Sequence, residues 1–204
     1  MISLELHKEL IKKWKKVDKN VYQKISRRYR LKYFMNYVDL FKGKDVLELG
    51  INSAIYGYEI SQVANSYIGL DHAEYCIKQA KVTQKYMENP NVKLMLGNVK
   101  DFIKLDQAGK APKYNALFAS FVLYHLTKKE TNRLAKYVLP KCDVVIIQTR
   151  FRIRTPARLY NPHDFNKPKN VVKYLSREGF NCKVSWSSDK KYGIIIATRE
   201  KNED

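Results

Sequence analysis

The 204-residue chain contains no apolar run near the ~18 residues that a membrane-spanning helix needs. Its first residues, Met1-Ile-Ser-Leu-Glu-Leu-His7, lack the charged start and unbroken apolar stretch of a secretory leader. Cysteine is scarce: Cys76, Cys142 and Cys182 are far apart, odd in number and form no C-x-x-C pair. A disulfide framework and a zinc site are therefore poorly supported, no metal is expected, and a reducing, cytoplasmic compartment is the expected setting. Acidic residues are also few, 20 against 39 Lys and Arg, for a net charge of +19. What is abundant is apolar material: 45% of the chain, enough for a sizeable core rather than a disordered segment.

The positive charge is uneven. Residues 1–44 carry 13 basic against 4 acidic side chains, and residues 150–191 carry 11 against 3. The intervening residues 45–149 carry 13 against 10. Two basic flanks around a nearly balanced centre favour a polyanionic partner, because clustered Lys and Arg attract phosphates and release counterions. General solubility of a lysine-rich chain explains the same count.

Residues 2–25 read as a basic amphipathic helix, with Ile2, Leu6, Leu10, Trp14, Val21 and Ile25 on one stripe and lysines elsewhere. A second helical stretch runs from Arg28 to Phe41 and carries Tyr29 and Tyr33. Residues 1–42 are thus a helical segment, a cover or a lid, ahead of a domain over 43–200. In that domain short apolar strands are expected at 45–49, 66–70, 92–96, 114–119 and 143–148. Helices at about 56–65, 73–88 and 128–138 separate them, which implies right-handed βαβ units in an α/β fold. A helix over 170–178 leads to strands 180–186 and 192–198. The segment between those strands is so short that the pair must be antiparallel.

In such a sheet, ligands bind beyond the carboxyl ends of the strands. The first such loop is Glu48-Leu-Gly-Ile-Asn-Ser-Ala54, where Gly50 permits a tight turn or a close approach to a ligand. Asp71 follows 21 residues after Gly50, at the end of the second strand. It can accept from both hydroxyls of a ribose or cap the next helix. Asn98 and Val99 after the third strand can meet an adenine edge, with Asp101 as a neighbouring alternative; Asn98 can also cap a helix. Ser120-Phe-Val-Leu-Tyr-His125 follows the fourth strand. There Tyr124 and His125 are candidates for positioning a substrate or removing a proton, a hydrogen bond within the fold being the plainer role for the histidine.

These residues resemble class I S-adenosylmethionine-dependent methyltransferases. Val46-Leu-Glu-Leu-Gly50 is similar to that family's first motif, Gly69-Leu-Asp71 to its second, and Phe118-Ala-Ser-Phe-Val-Leu-Tyr-His125 to its fourth. Gly97-Asn98 stands where the family often has Gly-Asp. The resemblance covers residues 40–200. It implies a Rossmann-like, doubly wound sheet of about seven mainly parallel strands, an antiparallel C-terminal strand and helices on both faces. It also implies S-adenosyl-L-methionine as cofactor. Glu48 and Gly50 would line the methionine end, Asn52 would be a further cofactor contact, Asp71 would hold the ribose, Asn98 and Val99 the adenine, and Ser120 the edge near the sulfonium. The usual G-x-G-x-G loop here reads Gly50-Ile-Asn52-Ser-Ala54. Asn tolerates a left-handed backbone better than most residues, and Ala is nearly as small as Gly.

Other chemistries are disfavoured. The fuller G-x-G-x-x-G of a nicotinamide dehydrogenase is missing, and neither Asn-Pro-Pro-Tyr nor Pro-Cys follows the fourth strand. The expected reaction is in-line methyl transfer to O or N of an acceptor, without a metal, with His125 as first and Tyr124 as second candidate base. Tyr29, Tyr33, Arg150 and Arg152, with Arg154 and Arg158, are candidate substrate contacts suited to stacking and phosphate. RNA or another nucleic acid is the expected acceptor. A small-molecule methyltransferase and a catalytically inactive nucleic-acid-binding module on the same fold are the alternatives.

Overall fold

The computed structural model describes residues 1–21, 24, 28–150, 168–186 and 192–199. The elements are α1 (Leu4–Val17), α2 (Arg28–Met35), a 3₁₀ turn (Val38–Phe41), β1 (Asp45–Leu49), α3 (Ile55–Ser61), β2 (Ser66–Asp71), α4 (Glu74–Gln84) and β3 (Val92–Leu96). Then come α5 (Val99–Gln107), β4 (Ala116–Ser120), a 3₁₀ turn (Leu123–His125), α6 (Lys128–Arg133) running on as a π-helical stretch (Leu134–Val138), a 3₁₀ turn (Leu139–Lys141), β5 (Val144–Arg150), α7 (Pro168–Arg177), β6 (Asn181–Trp186) and β7 (Tyr192–Thr198). The strands make one seven-stranded sheet in the order β3-β2-β1-β4-β5-β7-β6. β2 runs parallel to β1 and β3, β5 runs parallel to β4, and β7 is antiparallel to β5 and β6.

Residues 1–98 and 99–204 form two compact units. In the first, β1 and β2 are buried almost throughout, while β3 alternates between half-buried and exposed. β3 is the edge strand, and Leu96 at its end is open to solvent. α1 packs on α4, and its stripe buries Leu10 and Trp14 completely. In the second unit, β4 and β5 supply a continuous apolar centre from Ala116 to Ala119 and Val144 to Ile147. That is the pattern of strands covered on both faces. β7 adds Ile194, Ile195 and Ile196, and Val171 and Leu175 of α7 are also buried. No helix among the described residues is long and apolar enough to cross a membrane.

The expected strands all exist, with ends shifted by a residue or two. The helices differ more. α1 stops at Val17 rather than near residue 25. Asp18 takes an extended backbone and its carboxylate accepts from Asn20 N–H at 2.8 Å, so the side chain replaces the helical bond. The stretch from 28 to 41 breaks after Met35 into a separate 3₁₀ turn. α5 was expected only as the alternative in which Asn98 caps a helix; Val99, Phe102 and Ile103 recur at helical steps and are all buried. Asp101 therefore sits in the first turn of α5, 3.8 Å from Lys104, and not in an open loop. The helix from 128 widens at Leu134–Val138. Pro140 has no N–H, and its ring would collide with the Lys136 carbonyl in a regular α-helix.

Candidate cofactor site

The turn after β1 is built from strained backbone. Gly50, Asn52 and Ala54 have φ of 72, 53 and 56°, so every second residue is left-handed. Only glycine does this freely; an L-residue there loses ~1 kcal/mol or more, and such strain survives only where the surroundings impose it. Here they do. The N–H groups of Gly50 and Ile51 both donate to the Leu70 carbonyl, at 2.8 and 3.3 Å. Asn52 N–H donates to Asp71 Oδ2 at 2.9 Å. The Ser53 carbonyl accepts from the Thr83 hydroxyl at 2.6 Å, and Thr83 Oγ1 accepts from Trp14 Nε1 at 3.0 Å. The loop is thus fastened from β2, from α4 and, through Trp14, from α1. Asp71 works on both sides of the strand end: Oδ1 accepts from Ala73 N–H at 3.0 Å, just ahead of α4, while Oδ2 holds the loop.

Below the loop lies a second carboxylate. Glu48 is fully buried, and its Oε2 accepts from the Tyr67 hydroxyl at 2.8 Å. Burial pushes its pKa up to about 8, with the Tyr67 bond opposing that rise and the Asp71 charge adding to it. Tyr67 is pushed well above the usual phenol range, first by burial and then by Glu48. The tyrosine dictates its neighbours. A Cβ on Gly57 would run into the Tyr67 ring and hydroxyl, and one on Gly69 would meet Tyr67 Oη and Ile51 at 3.0 Å. Gly57 is thus a helix glycine kept for packing, not for a turn.

The residues fit a nucleoside carrying a charged amino-acid tail. Glu48 Oε1 and Asn52 Oδ1 are buried with no partner among the described residues, a costly arrangement unless a ligand supplies donors. Asp71 spends one bond per oxygen on backbone, and it also faces His72 Nδ1 at 3.6 Å and the Cys76 thiol; a carboxylate accepts about four, so its remaining capacity suits a hydroxyl donor. Gly97 N–H donates to the Asp71 carbonyl at 2.8 Å, which sets exposed Asn98 at the end of β3, beside β2. Val99 is buried as the first residue of α5. Glu48, Gly50, Asn52 and Asp71 are therefore brought together in the first unit, with Asn98 following from the neighbouring strand.

The remaining candidates are less gathered. Tyr29 on α2 is exposed, and its hydroxyl accepts from Arg30 Nε at 3.2 Å. Tyr33 meets Tyr37 edge-on at 6.1 Å. In the second unit, the Ser120 hydroxyl donates to Gln148 Oε1 at 3.2 Å, and the next residue, Phe121, is left-handed with φ 57°. Phe121 N–H donates to the Gln148 carbonyl at 2.8 Å. His125 is exposed at the end of a 3₁₀ turn, its N–H donating to the Val122 carbonyl at 2.9 Å. The side chains of Tyr124 and Arg150, and the whole of Arg152, Arg154 and Arg158, lie outside the described residues.

Three positions with a structural part in these turns escaped the sequence reading. Gln148 had a signal: a polar side chain ending the apolar run Val144-Val-Ile-Ile147. Tyr67 and Thr83 had none, because a tyrosine in a strand and a threonine in a helix are ordinary until their partners are known.

No protein-family model and no curated protein matches the chain. Its structure, however, is similar to several solved ones. A S-adenosylmethionine-dependent methyltransferase from Aquifex aeolicus superimposes with a TM-score of 0.60 at 14% identity, covering 83% of this chain and 89% of that one. DhpI in complex with S-adenosylhomocysteine gives 0.64 at 15%, covering 98% and 100%. The PH0226 protein from Pyrococcus horikoshii gives 0.65 at 13%, covering 89% and 94%. The chain has the class I S-adenosylmethionine-dependent methyltransferase fold. S-adenosylmethionine is the cofactor of that fold, as the DhpI complexes illustrate. In this methyltransferase fold, the loop at Gly50–Ala54 keeps the left-handed path of a glycine-rich turn with only one glycine present.

Proposed function

We propose that the protein is an S-adenosylmethionine-dependent methyltransferase that transfers a methyl group to an O or N nucleophile. The observation that carries this reading is the alternation of left-handed residues at 50, 52 and 54, tied by Asn52 N–H to Asp71. A degenerate loop would have no reason to hold Asn and Ala in a conformation that costs energy, so this geometry weighs against the inactive-module alternative.

The residues divide the work as follows. Asp71 would accept from the ribose hydroxyls with its spare lone pairs. Glu48 and the Gly50–Ala54 backbone would hold the amino-acid end, Glu48 giving up its proton as a positive group comes beside it. Asn98 and Val99 would meet the adenine. When bound, the cofactor supplies a methyl group already activated by a positive sulfur. The chain's own task is then to orient the acceptor and keep water out. Ser120 would border the reacting end. His125 would take the acceptor's proton where one must leave, with Tyr124 as the alternative base. Tyr29, Tyr33, Arg150 and Arg152 would contact the acceptor.

RNA is the acceptor we favour, on the strength of the two basic flanks, over a small molecule. Isothermal titration with S-adenosylmethionine tests the cofactor step, and mass spectrometry of the supernatant from denatured protein shows whether a purified sample carries it. Folded protein that gives no heat at millimolar cofactor overturns the enzyme reading. His125→Ala should spare cofactor binding and reduce turnover. Acceptor binding that ignores added salt would favour a small molecule.

A further inference from the structure

The nearly balanced charge of residues 45–149 hides a local excess. α6 and the π-helical stretch that continues it bury one face, formed by Thr131, Leu134, Ala135 and Val138. The opposite face carries Lys129, Asn132, Arg133, Lys136 and Tyr137, which line an open depression of about 400 Å³. The one carboxylate of this helix is spent elsewhere. Glu130 Oε2 accepts from Thr127 N–H and from Thr127 Oγ1, both at 2.8 Å, in a capping box that starts α6. No carboxylate among the described residues pairs with Lys129, Arg133 or Lys136. The face therefore presents three cations without a neutralising partner among the described residues. Lys136 Nζ lies 5.3 Å from the Tyr137 ring centre, so a half-buried aromatic sits among the charges.

We infer that this face of α6 is a docking surface for single-stranded nucleic acid, with phosphates on Lys129, Arg133 and Lys136 and a base against Tyr137. Charge complementarity selects a polyanion, and a tyrosine interleaved with cations is the arrangement on which unpaired bases stack. Asn132 adds both a donor and an acceptor within the same depression. A duplex offers no free base face to the ring, which is why a single strand is the better fit. The π-helical step helps to form the face, because widening the turn at Leu134–Val138 changes where Lys136 and Tyr137 project relative to Arg133. The inference rests on the nucleic-acid reading of the acceptor and deepens it by naming where the strand is held.

The test uses the full chain and a fluorescently labelled single-stranded RNA of about 15 nucleotides, read by anisotropy across a salt series. The variant combining Lys129→Gln, Arg133→Gln and Lys136→Gln should bind about tenfold or more weakly. Its plot of log affinity against log salt should flatten by about 2, three contacts at about 0.7 each. A control combining Lys81→Gln, Lys85→Gln and Lys93→Gln, exposed lysines of the other unit, removes equal charge and should change affinity far less. Tyr137→Leu should weaken RNA binding while leaving the salt slope unchanged. If the triple variant does not stay folded, Lys136→Gln alone should lower the slope by about 0.7. Equal losses in the α6 and control variants would overturn the proposal, as would no RNA binding by the wild type. So would a stronger effect on vesicles of phosphatidylcholine with phosphatidylserine than on RNA. Calorimetry with S-adenosylmethionine on the same variants separates the two readings. Unchanged cofactor heat is expected, and a chain that binds RNA through this face but shows no cofactor heat at all would sink the methyl-transfer reading alone.

Discussion

The loop after β1 takes a left-handed backbone at Gly50, Asn52 and Ala54, whereas the turn after β4 takes it once, at Phe121. In the first, the strain falls on small residues and is shared by three anchors: Asp71 from β2, Thr83 from α4, and Trp14 from α1 acting through Thr83. In the second, a single bulky residue is held, and its neighbour Ser120 bonds the same Gln148 that accepts from Phe121. Backbone strain in this fold thus gathers at the ends of strands, where a ligand can be gripped by main chain. Three elements fasten it at one strand end, and Gln148 of β5 fastens it at the other.

The largest expected effect comes from Asp71→Ala. It removes the acceptor for two backbone N–H groups and for the proposed ribose contact, each a charge-assisted bond worth about 1.5–3 kcal/mol. Affinity for S-adenosylmethionine, measured by calorimetry, should fall by at least about a hundredfold, and unchanged affinity would take Asp71 out of the site. Thr83→Val is next. It keeps the shape but leaves Trp14 Nε1 and the Ser53 carbonyl unpaired, and denaturant unfolding should show a loss of about 2–4 kcal/mol. Gln148→Leu removes the acceptor of the Ser120 hydroxyl, while the backbone carbonyl still serves Phe121, and that bond is worth about 1 kcal/mol. If Gln148→Leu costs as much as Thr83→Val, the contrast between the two turns is wrong.

Glu48 sharpens the contrast through pH. Its folded pKa of about 8 lies above its ordinary value of 4.5, so the folded state holds the proton more tightly. Its contribution to stability is complete below pH 4.5, declines as pH rises toward about 8, and is flat beyond. Between those limits the slope approaches about 1.4 kcal/mol per pH unit, and Glu48→Gln should flatten it in unfolding curves measured across that range. A slope that persists unchanged in the variant would mean that another group titrates. The remaining effect is a gain. Asn52→Gly relieves a left-handed side chain and deletes a buried unpaired carbonyl, and should raise stability by about 1 kcal/mol, or about 2–4 °C in Tm. A fall in Tm would show that Asn52 is already satisfied.

Much of this was legible in the chain. Strand positions followed from apolar runs ended by polar residues or glycine, and the placing of Gly50 and Asp71 at the ends of two neighbouring strands followed from their spacing. The helix ends were less legible. Asp18 breaks α1 through its own side chain, and α5 was hidden behind attention to Asn98 and Asp101 as loop residues. The weak first motif was the hardest case. Asn52 and Ala54 look like lost glycines in sequence, yet the backbone keeps the glycine path because distant partners hold it there.

Strand order of polarity, the acidic residue after the second strand and the excess of positive charge were determined by the sequence alone, since each depends on residues adjacent or periodic along the chain. The relay from Trp14 through Thr83 to Ser53 and the burial that raises Glu48 were decided only by tertiary structure. Each of these needs groups from separate elements to be brought together, and no local pattern records that.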